Sequence, residues 1–505
     1  MFVKVLSATT VGLDGVIIKV EVDVASRGFP KFNIVGLASK SVEEAKERVR
    51  TGIINSGFEM PDTRITVNLA PADIPKNGSH LDLPIAVGIL AASGAINRES
   101  LNEKIFVGEL SLTGQVRKTP GVLPIADLAR NKNIGGLFLA REALTEASLV
   151  SGIGIYPADS LKDLAMHLNG INIIKPFRGI FPGHCAAAEY KFLFEDIRGQ
   201  EIAKRAMEIA AAGRHNIHLK GPPGAGKTML SRSFPSILPE MNRNEIIEVT
   251  KIYSIAGLLK DKPFIVARPF RSPHHTVSRI GLVGGGSTPM PGEISLSHRG
   301  VLFLDEFPEF AHSAIESLRA PMEDGLISIA RASGTLTFPC RFIMLAASNP
   351  CPCGYLGHPL KPCRCNPGAI FKYKKKVSGP IMDRIDINID VPPVSREKLT
   401  EVQKSETSAS VRKRVVSAYE RQKKRFSGSQ TSVNAEMTSQ EVKRFCHLSS
   451  NADALLKSAI DKLALSARSY FKTIKIAMTI ADLKGEESID GDCIAEALQY
   501  RAADN

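Results

Sequence analysis

No stretch of about 18 consecutive apolar residues occurs in the 505-residue chain, so no bilayer-crossing helix is expected. No signal peptide is recognisable either, and the expected compartment is the soluble cytoplasm, with no membrane partner. Cysteine is scarce: eight residues in a chain this long do not make a disulfide scaffold. Acid is in deficit, with 52 Asp and Glu against 65 Lys and Arg, a formal net charge of +13. That excess suits a polyanionic partner, nucleic acid first, and suits equally a basic surface that serves solubility. The rest of the composition is ordinary, 43% apolar and 23% charged, enough to bury large cores in roughly three or four domains.

The chain is organised around Gly221-Pro222-Pro223-Gly224-Ala225-Gly226-Lys227-Thr228. This is the spacing of a phosphate-binding loop. Gly221, Gly224 and Gly226 let the backbone turn so that consecutive N–H groups face phosphate oxygens. Lys227 supplies a positive charge for the β- and γ-phosphates of ATP, and Thr228 a hydroxyl for Mg²⁺. A strand over His215–Leu219 precedes the loop, and a helix starting at Met229 follows it, its N-terminus favouring anions. Downstream, Val301-Leu302-Phe303-Leu304 reads as a buried strand that ends in Asp305-Glu306. Asp305 is placed to hold Mg²⁺ and Glu306 to polarise an attacking water.

The N-terminal third alternates strands and helices. Residues 16–24 pass from apolar to a period of two, the mark of a strand. Helical spacing over Ser41–Asn55 puts Val42, Ala45, Val49 and Ile53 on one face. Two segments, Ile74–His80 and Val107–Val116, resemble the proteolytic domain of Lon-type proteases. That family uses a Ser–Lys dyad, and the corresponding positions here are His80 and Leu123, which cannot supply a hydroxyl nucleophile and an amine base. A folded accessory domain without proteolysis is the expectation.

From residue 193 the chain resembles ATPases of the AAA+ class. The resemblance implies that Ile197 and Gly199 pack on adenine and that Asn349, at the tip of a strand ending in Ser348, is the first sensor. It also implies that Arg384 is an arginine finger for a neighbouring subunit's nucleotide and that Arg468, on a C-terminal helix, is the second sensor contacting the γ-phosphate. The paired His274-His275 are open between metal ligands and ordinary histidines. Cys351, Cys353, Cys363 and Cys365 come from two tight turns, which suits tetrahedral Zn²⁺; free thiols or an iron–sulfur cluster remain alternatives. Lys372, Lys374, Lys375 and Lys376 follow, either a nucleic-acid contact or a solvated loop.

Over nearly its whole length the chain resembles the ComM/YifB family of magnesium-chelatase-like AAA+ ATPases. The resemblance rests on the Lon-like front, the Arg268–Thr276 segment, Pro291–Glu306, the cysteine cluster, Arg384 and the Arg468 helix. It departs from the family at Met478, where Arg is usual, and at Arg299, where a small polar residue is usual. The implied fold is α/β: a Lon-protease-like α+β domain over 1–168, a linker over 169–192, an AAA+ P-loop domain over 193–392, and a helical lid domain over 393–505. The implied activity is that of a homo-hexameric ATP-driven DNA motor, a helicase for branch migration in recombination and natural transformation, acting on single-stranded or branched DNA. The alternative is a protein-remodelling ATPase like the chelatase motor, whose partner is another polypeptide.

Overall fold

The computed structural model describes the chain apart from residues 37–39, 77, 180–189, 260–261, 287–288, 332–333, 378, 395–405, 430 and 502–505. Residues 180–189 of the expected linker fall outside the described residues, and every candidate site residue falls inside them. By internal contacts the chain forms two units, Met1–Ala186 with Arg243–Ile265, and Ala187–Asn242 with Val266–Asn505.

The first unit is built on a seven-stranded mixed sheet in the order Lys31–Val35, Arg64–Ala70, Asp14–Val24, Phe2–Val11, Lys104–Phe106, Gly136–Leu139, Gly154–Pro157. The first two strands of the chain form a long antiparallel hairpin, with Val11 opposite Asp14, and its inward residues Val3, Val5, Ile18, Val20 and Val22 are buried. The helix Lys40–Asn55 buries Val42, Ala45, Val49 and Ile53, the face its spacing predicts. The helix Asp82–Ala92 is buried on every side.

One element of this unit comes from far along the chain. The helix Arg243–Ile255 lies between the phosphate loop and the acidic strand in sequence, yet belongs to the first unit. Its Lys251 pairs with Asp127 at 2.6 Å, and Ser254 Oγ donates to Glu146 Oε1 at 2.6 Å while accepting from the Gly121 N–H. Ile247 and Phe264 pack on the core around Leu123, Ile125 and Leu144.

In the second unit a five-stranded sheet runs in the order Phe270–Arg271, Val301–Leu304, Ile343–Ser348, Ile217–Lys220, Ile387–Asp390, with every neighbouring pair parallel. Parallel pairing puts all carboxyl ends on one edge, where ligands of open α/β sheets bind. The central strands are apolar throughout because both faces are covered: Val301–Leu304 and Ile343–Ser348 are buried at every position. The C-terminal region is helical, over Ser408–Arg425, Ser439–Phe445, Ser450–Leu463, Ala467–Lys484 and Gly491–Gln499, and it shares one hydrophobic core with the helix Glu201–Gly213 and the sheet.

A polar network crosses this helical region. Arg425 donates to fully buried Asp482 at 2.9 Å and to Asn434 at 3.0 Å, and Asn434 donates to Asp482 at 2.8 Å. Arg425→Ala would strand a buried carboxylate. It is expected to lower the unfolding free energy by about 3–5 kcal/mol, read as a drop in urea midpoint at unchanged slope.

Candidate nucleotide-binding site

The strand Ile217–Lys220 delivers the chain to Gly221, whose N–H donates to Ser348 O at 3.1 Å. A Cβ at Gly221 would lie 2.2 Å from Val391 O, so only glycine fits there. Gly224 and Gly226 take left-handed φ values of 79° and 90°, turning the loop over Pro222, Pro223 and Ala225 into the helix Lys227–Ser233. The Lys227 ammonium is buried and donates to Gly221 O at 2.6 Å, Pro222 O at 3.0 Å and Asn349 Oδ1 at 3.1 Å. Burial lowers its pKa, opposed by the nearby charges of Asp305 and Glu306. A triphosphate would replace these neutral acceptors with anionic oxygens, a stronger hydrogen bond for the same ammonium.

The next strand ends meet the loop. Thr228 Oγ1 donates to Asp305 Oδ2 at 2.9 Å, so a hydroxyl and a carboxylate converge as oxygen ligands for one hard cation such as Mg²⁺. Glu306 has a left-handed φ of 51°, an uncommon conformation for a residue with a side chain. That backbone is fixed in part by its own N–H, which donates to Asp305 Oδ1 at 3.0 Å. The Glu306 carboxylate lies 3.3 Å from Nδ1 of His275, whose ring lies against that of His274, tilted by 34° with centroids 4.1 Å apart. His275 thus meets an acidic residue, a role the sequence offered no means of choosing.

The segment expected at adenine is tied to this loop. Ile197 is buried and its carbonyl accepts from Lys204 Nζ at 2.7 Å; Gly199 turns with a φ of 60°. Gln200, not singled out from sequence, donates from Nε2 to Ala225 O at 3.2 Å and Pro392 O at 2.6 Å.

The two arginines are brought together elsewhere. Arg384 Nη2 and Arg468 Nη2 each approach Glu323 Oε1 at 2.6 Å. The hydrogen bond from Arg384, joined by the charges of both guanidiniums, holds the Glu323 carboxyl below its usual range. Both arginines line a cavity of about 740 Å³ whose walls also carry Arg268, Arg299, Arg341, Lys472 and Lys475, and no residue of the phosphate loop. Arg468 therefore stands beside Arg384 rather than over Lys227. The cause is the docking of its helix, Ala467–Lys484, where Lys472 Nζ donates to Ile385 O at 2.6 Å, one residue from Arg384. A cation in the first turn of a helix opposes the helix dipole, and Glu323 offsets that cost.

The four cysteines also converge. Cys351 Sγ lies 3.4 Å from Cys353 Sγ and 3.7 Å from Cys363 Sγ, Cys353 Sγ lies 3.6 Å from Cys363 Sγ, and all four sulfurs are within 4.8 Å of one another. Hydrogen bonds from the Tyr355 and Arg364 backbones draw the Cys353 thiol down to about 6.

Three family descriptions match along the chain: subunit ChlI of Mg-chelatase over residues 20–143, magnesium chelatase subunit ChlI over 193–399, and the magnesium chelatase subunit ChlI C-terminal region over 405–501. The competence protein ComM of Haemophilus influenzae is 43% identical over 99% of this chain and 97% of its own length, and the Escherichia coli protein YifB is 41% identical over 98% and 96%. The chain belongs to the ComM/YifB family of magnesium-chelatase-like AAA+ proteins. Membership of the ComM/YifB family implies ATP and Mg²⁺ as cofactors, and the residues at the strand ends have the donors to hold both. The two positions expected to depart from the ComM/YifB pattern differ in setting. Met478 is fully buried in the helical core, whereas Arg299 takes a left-handed φ of 59° and its carbonyl accepts from Arg268 at 2.7 Å.

Proposed function

We propose that this protein is an ATP-driven ring motor that acts on DNA, with a homo-hexamer as the working form and branch migration in recombination and natural transformation as the task. The observation that carries the ATPase reading is the convergence of Lys227, Thr228, Asp305, Glu306 and Asn349 at one edge of a parallel sheet. Lys227 binds the β- and γ-phosphates, and Thr228 and Asp305 hold Mg²⁺. An ion held there would neutralise charge that builds on the phosphoryl oxygens. Glu306 orients the attacking water and accepts its proton, while Asn349 hydrogen-bonds the water or the γ-phosphate. Ile197 and Gly199 line the adenine.

The arginines support the assembly reading. Arg384 and Arg468 share Glu323, away from the chain's own phosphate loop, and Arg384 Nε is buried without a hydrogen-bond partner among the described residues. Both are read as reaching a neighbour's nucleotide, with Arg468 acting as sensor across the seam and not within its own chain.

DNA as the substrate is supported by the name of the competence relative and by the charge of +13. It is supported too by the helix Pro367–Lys375, where Lys372, Lys374 and Lys375 stand with exposed Phe371, a pairing of phosphate-binding charge and a stacking surface. The chelatase descriptions favour the second reading, a remodeller of a protein partner. ATPase rates with and without single-stranded and four-way-junction DNA separate the two: stimulation with strand displacement supports the DNA motor, and no binding at low salt refutes it.

The N-terminal unit is read as Lon-like and without proteolytic activity. His80 and Leu123, at the dyad positions, are both buried, and Ser79 Oγ is hydrogen-bonded to the Glu109 carboxylate instead of to an amine. Structural Zn²⁺ at Cys351, Cys353, Cys363 and Cys365 completes the cofactors, and the cytoplasm is the compartment. His275 is read as a positioning residue for Glu306: His275→Ala is expected to lower kcat on the order of tenfold with KM for ATP unchanged, measured by steady-state phosphate release.

A further inference from the structure

The cysteine cluster is joined to the nucleotide site by its chain. Cys351 follows Asn349 by two residues and is fully buried, and its carbonyl accepts from the Gly354 N–H at 2.9 Å. That bond closes a turn in which Gly354 has a left-handed φ of 82°. A Cβ on Gly354 would lie 2.5 Å from Pro223 Cδ, 2.7 Å from Pro223 Cγ and 3.8 Å from Asn349 Cγ. The cysteine turn therefore sits directly against the phosphate loop and against the residue that accepts from Lys227. After the second cysteine pair the chain returns through the helix Pro367–Lys375, whose buried Tyr373 lines one cavity together with Asn349. Asn349 thus has the chain leading into the cluster on one side and the helix that leaves it nearby.

The sulfur spacing suits a single tetrahedral ion. Disulfides require sulfurs about 2.05 Å apart, well under the 3.4 Å of the nearest pair. A tetrahedral ion with Zn–S bonds of about 2.3 Å separates its sulfurs by about 3.8 Å, close to the 3.4, 3.6 and 3.7 Å seen. An iron–sulfur cluster, with inorganic atoms at its centre, holds its cysteines further apart. Backbone N–H groups point at two of the sulfurs, Cys353 N at Cys365 Sγ (3.4 Å) and Cys365 N at Cys363 Sγ (3.5 Å), the outer-shell support that thiolate ligands receive.

We infer that a single zinc-type ion on Cys351, Cys353, Cys363 and Cys365 is a clasp for the nucleotide site: it fixes the Gly354 turn against Pro223 and Asn349, so that metal occupancy sets nucleotide affinity. The inference rests on the ATPase reading for its second half and not for its first. Without the ion the two cysteine turns are joined only by weak contacts to sulfur such as Cys353 N–H to Cys365 Sγ, and the segment from Cys351 to Cys365 can withdraw from the loop it braces.

The test uses the full-length protein. Zinc per chain is measured by elemental analysis, and the Kd for a fluorescent ATP analogue is measured before metal removal with a mercurial and chelator, after it, and after Zn²⁺ is returned under reducing conditions. One zinc per chain is expected, with affinity falling on the order of tenfold or more on removal and recovering on return. Cobalt substitution should give the visible bands of a tetrahedral thiolate site. The paired substitution Cys363→Ser with Cys365→Ser should lose both zinc and affinity. Gly354→Ala should keep its zinc and still lose affinity, because its new Cβ displaces Pro223. A chain that takes up no zinc overturns the inference, as does an affinity that is equal with and without zinc or that zinc does not restore. Zinc-loaded protein that binds no nucleotide at all overturns the coupling and the ATPase reading together, whereas equal nucleotide binding in both metal states overturns the coupling alone.

Discussion

Glu306→Gln is expected to lower ATP turnover by a factor of about 10² to 10⁴ while leaving nucleotide bound. The carboxylate stands one residue beyond Asp305, on a backbone held in a left-handed conformation and beside His275. Glutamine preserves the shape and the hydrogen-bond reach but cannot accept the proton of an attacking water. Thr228, Asp305 and Lys227 are untouched, so binding should survive and kcat should carry the loss. Single-turnover phosphate release together with equilibrium binding of an ATP analogue separates the two. Turnover within a few-fold of wild type would remove Glu306 from the chemistry.

The second large effect is at Arg384. Arg384→Ala is expected to reduce turnover by about 10³ to 10⁵ in assembled protein, the range for loss of an arginine that stabilises transferring phosphoryl charge. Its side chain is only 12% exposed and is held by Glu323, which it shares with Arg468. In the ring a neighbour's γ-phosphate would take the place of that carboxylate as the partner of the guanidinium. Glu323→Gln should then have a much smaller effect on turnover than Arg384→Ala, because it removes the resting partner and leaves the working group in place. Equal losses in the two variants would make the Arg384–Glu323 pair structural.

The features legible in the sequence were those whose chemistry is local. A glycine-spaced loop followed by Lys227-Thr228, and four apolar residues followed by Asp305-Glu306, announce their geometry because a parallel strand must end where its buried run ends. The face of Lys40–Asn55 was equally plain, since helical spacing alone decides which side is buried. What stayed hidden depends on how distant segments cross. Amphipathic spacing cannot say which core a helix joins, so nothing marked Arg243–Ile255 as an element of the first unit. Gln200 and His275 become recognisable only when Ala225 and Glu306 arrive beside them. Arg468 could be placed on a helix from its surroundings, but the direction in which that helix docks is set by Lys472 and its tertiary partners. The contact of Gly354 with Pro223 joins positions far apart in the chain, and no period or motif connects them.

Hydrolysis at the seam between copies of the chain is tested most directly by mixing two inactive variants. Lys227→Ala lacks a usable phosphate site but keeps Arg384; Arg384→Ala has the site but offers its neighbour nothing. In rings assembled from equal amounts, roughly a quarter of seams join an intact phosphate loop to an intact Arg384. The mixture is expected to regain turnover on that scale although each variant alone is inactive. A mixture that forms mixed rings by native mass spectrometry and stays inactive, or Arg384→Ala protein that hydrolyses ATP at the wild-type rate, would contradict it.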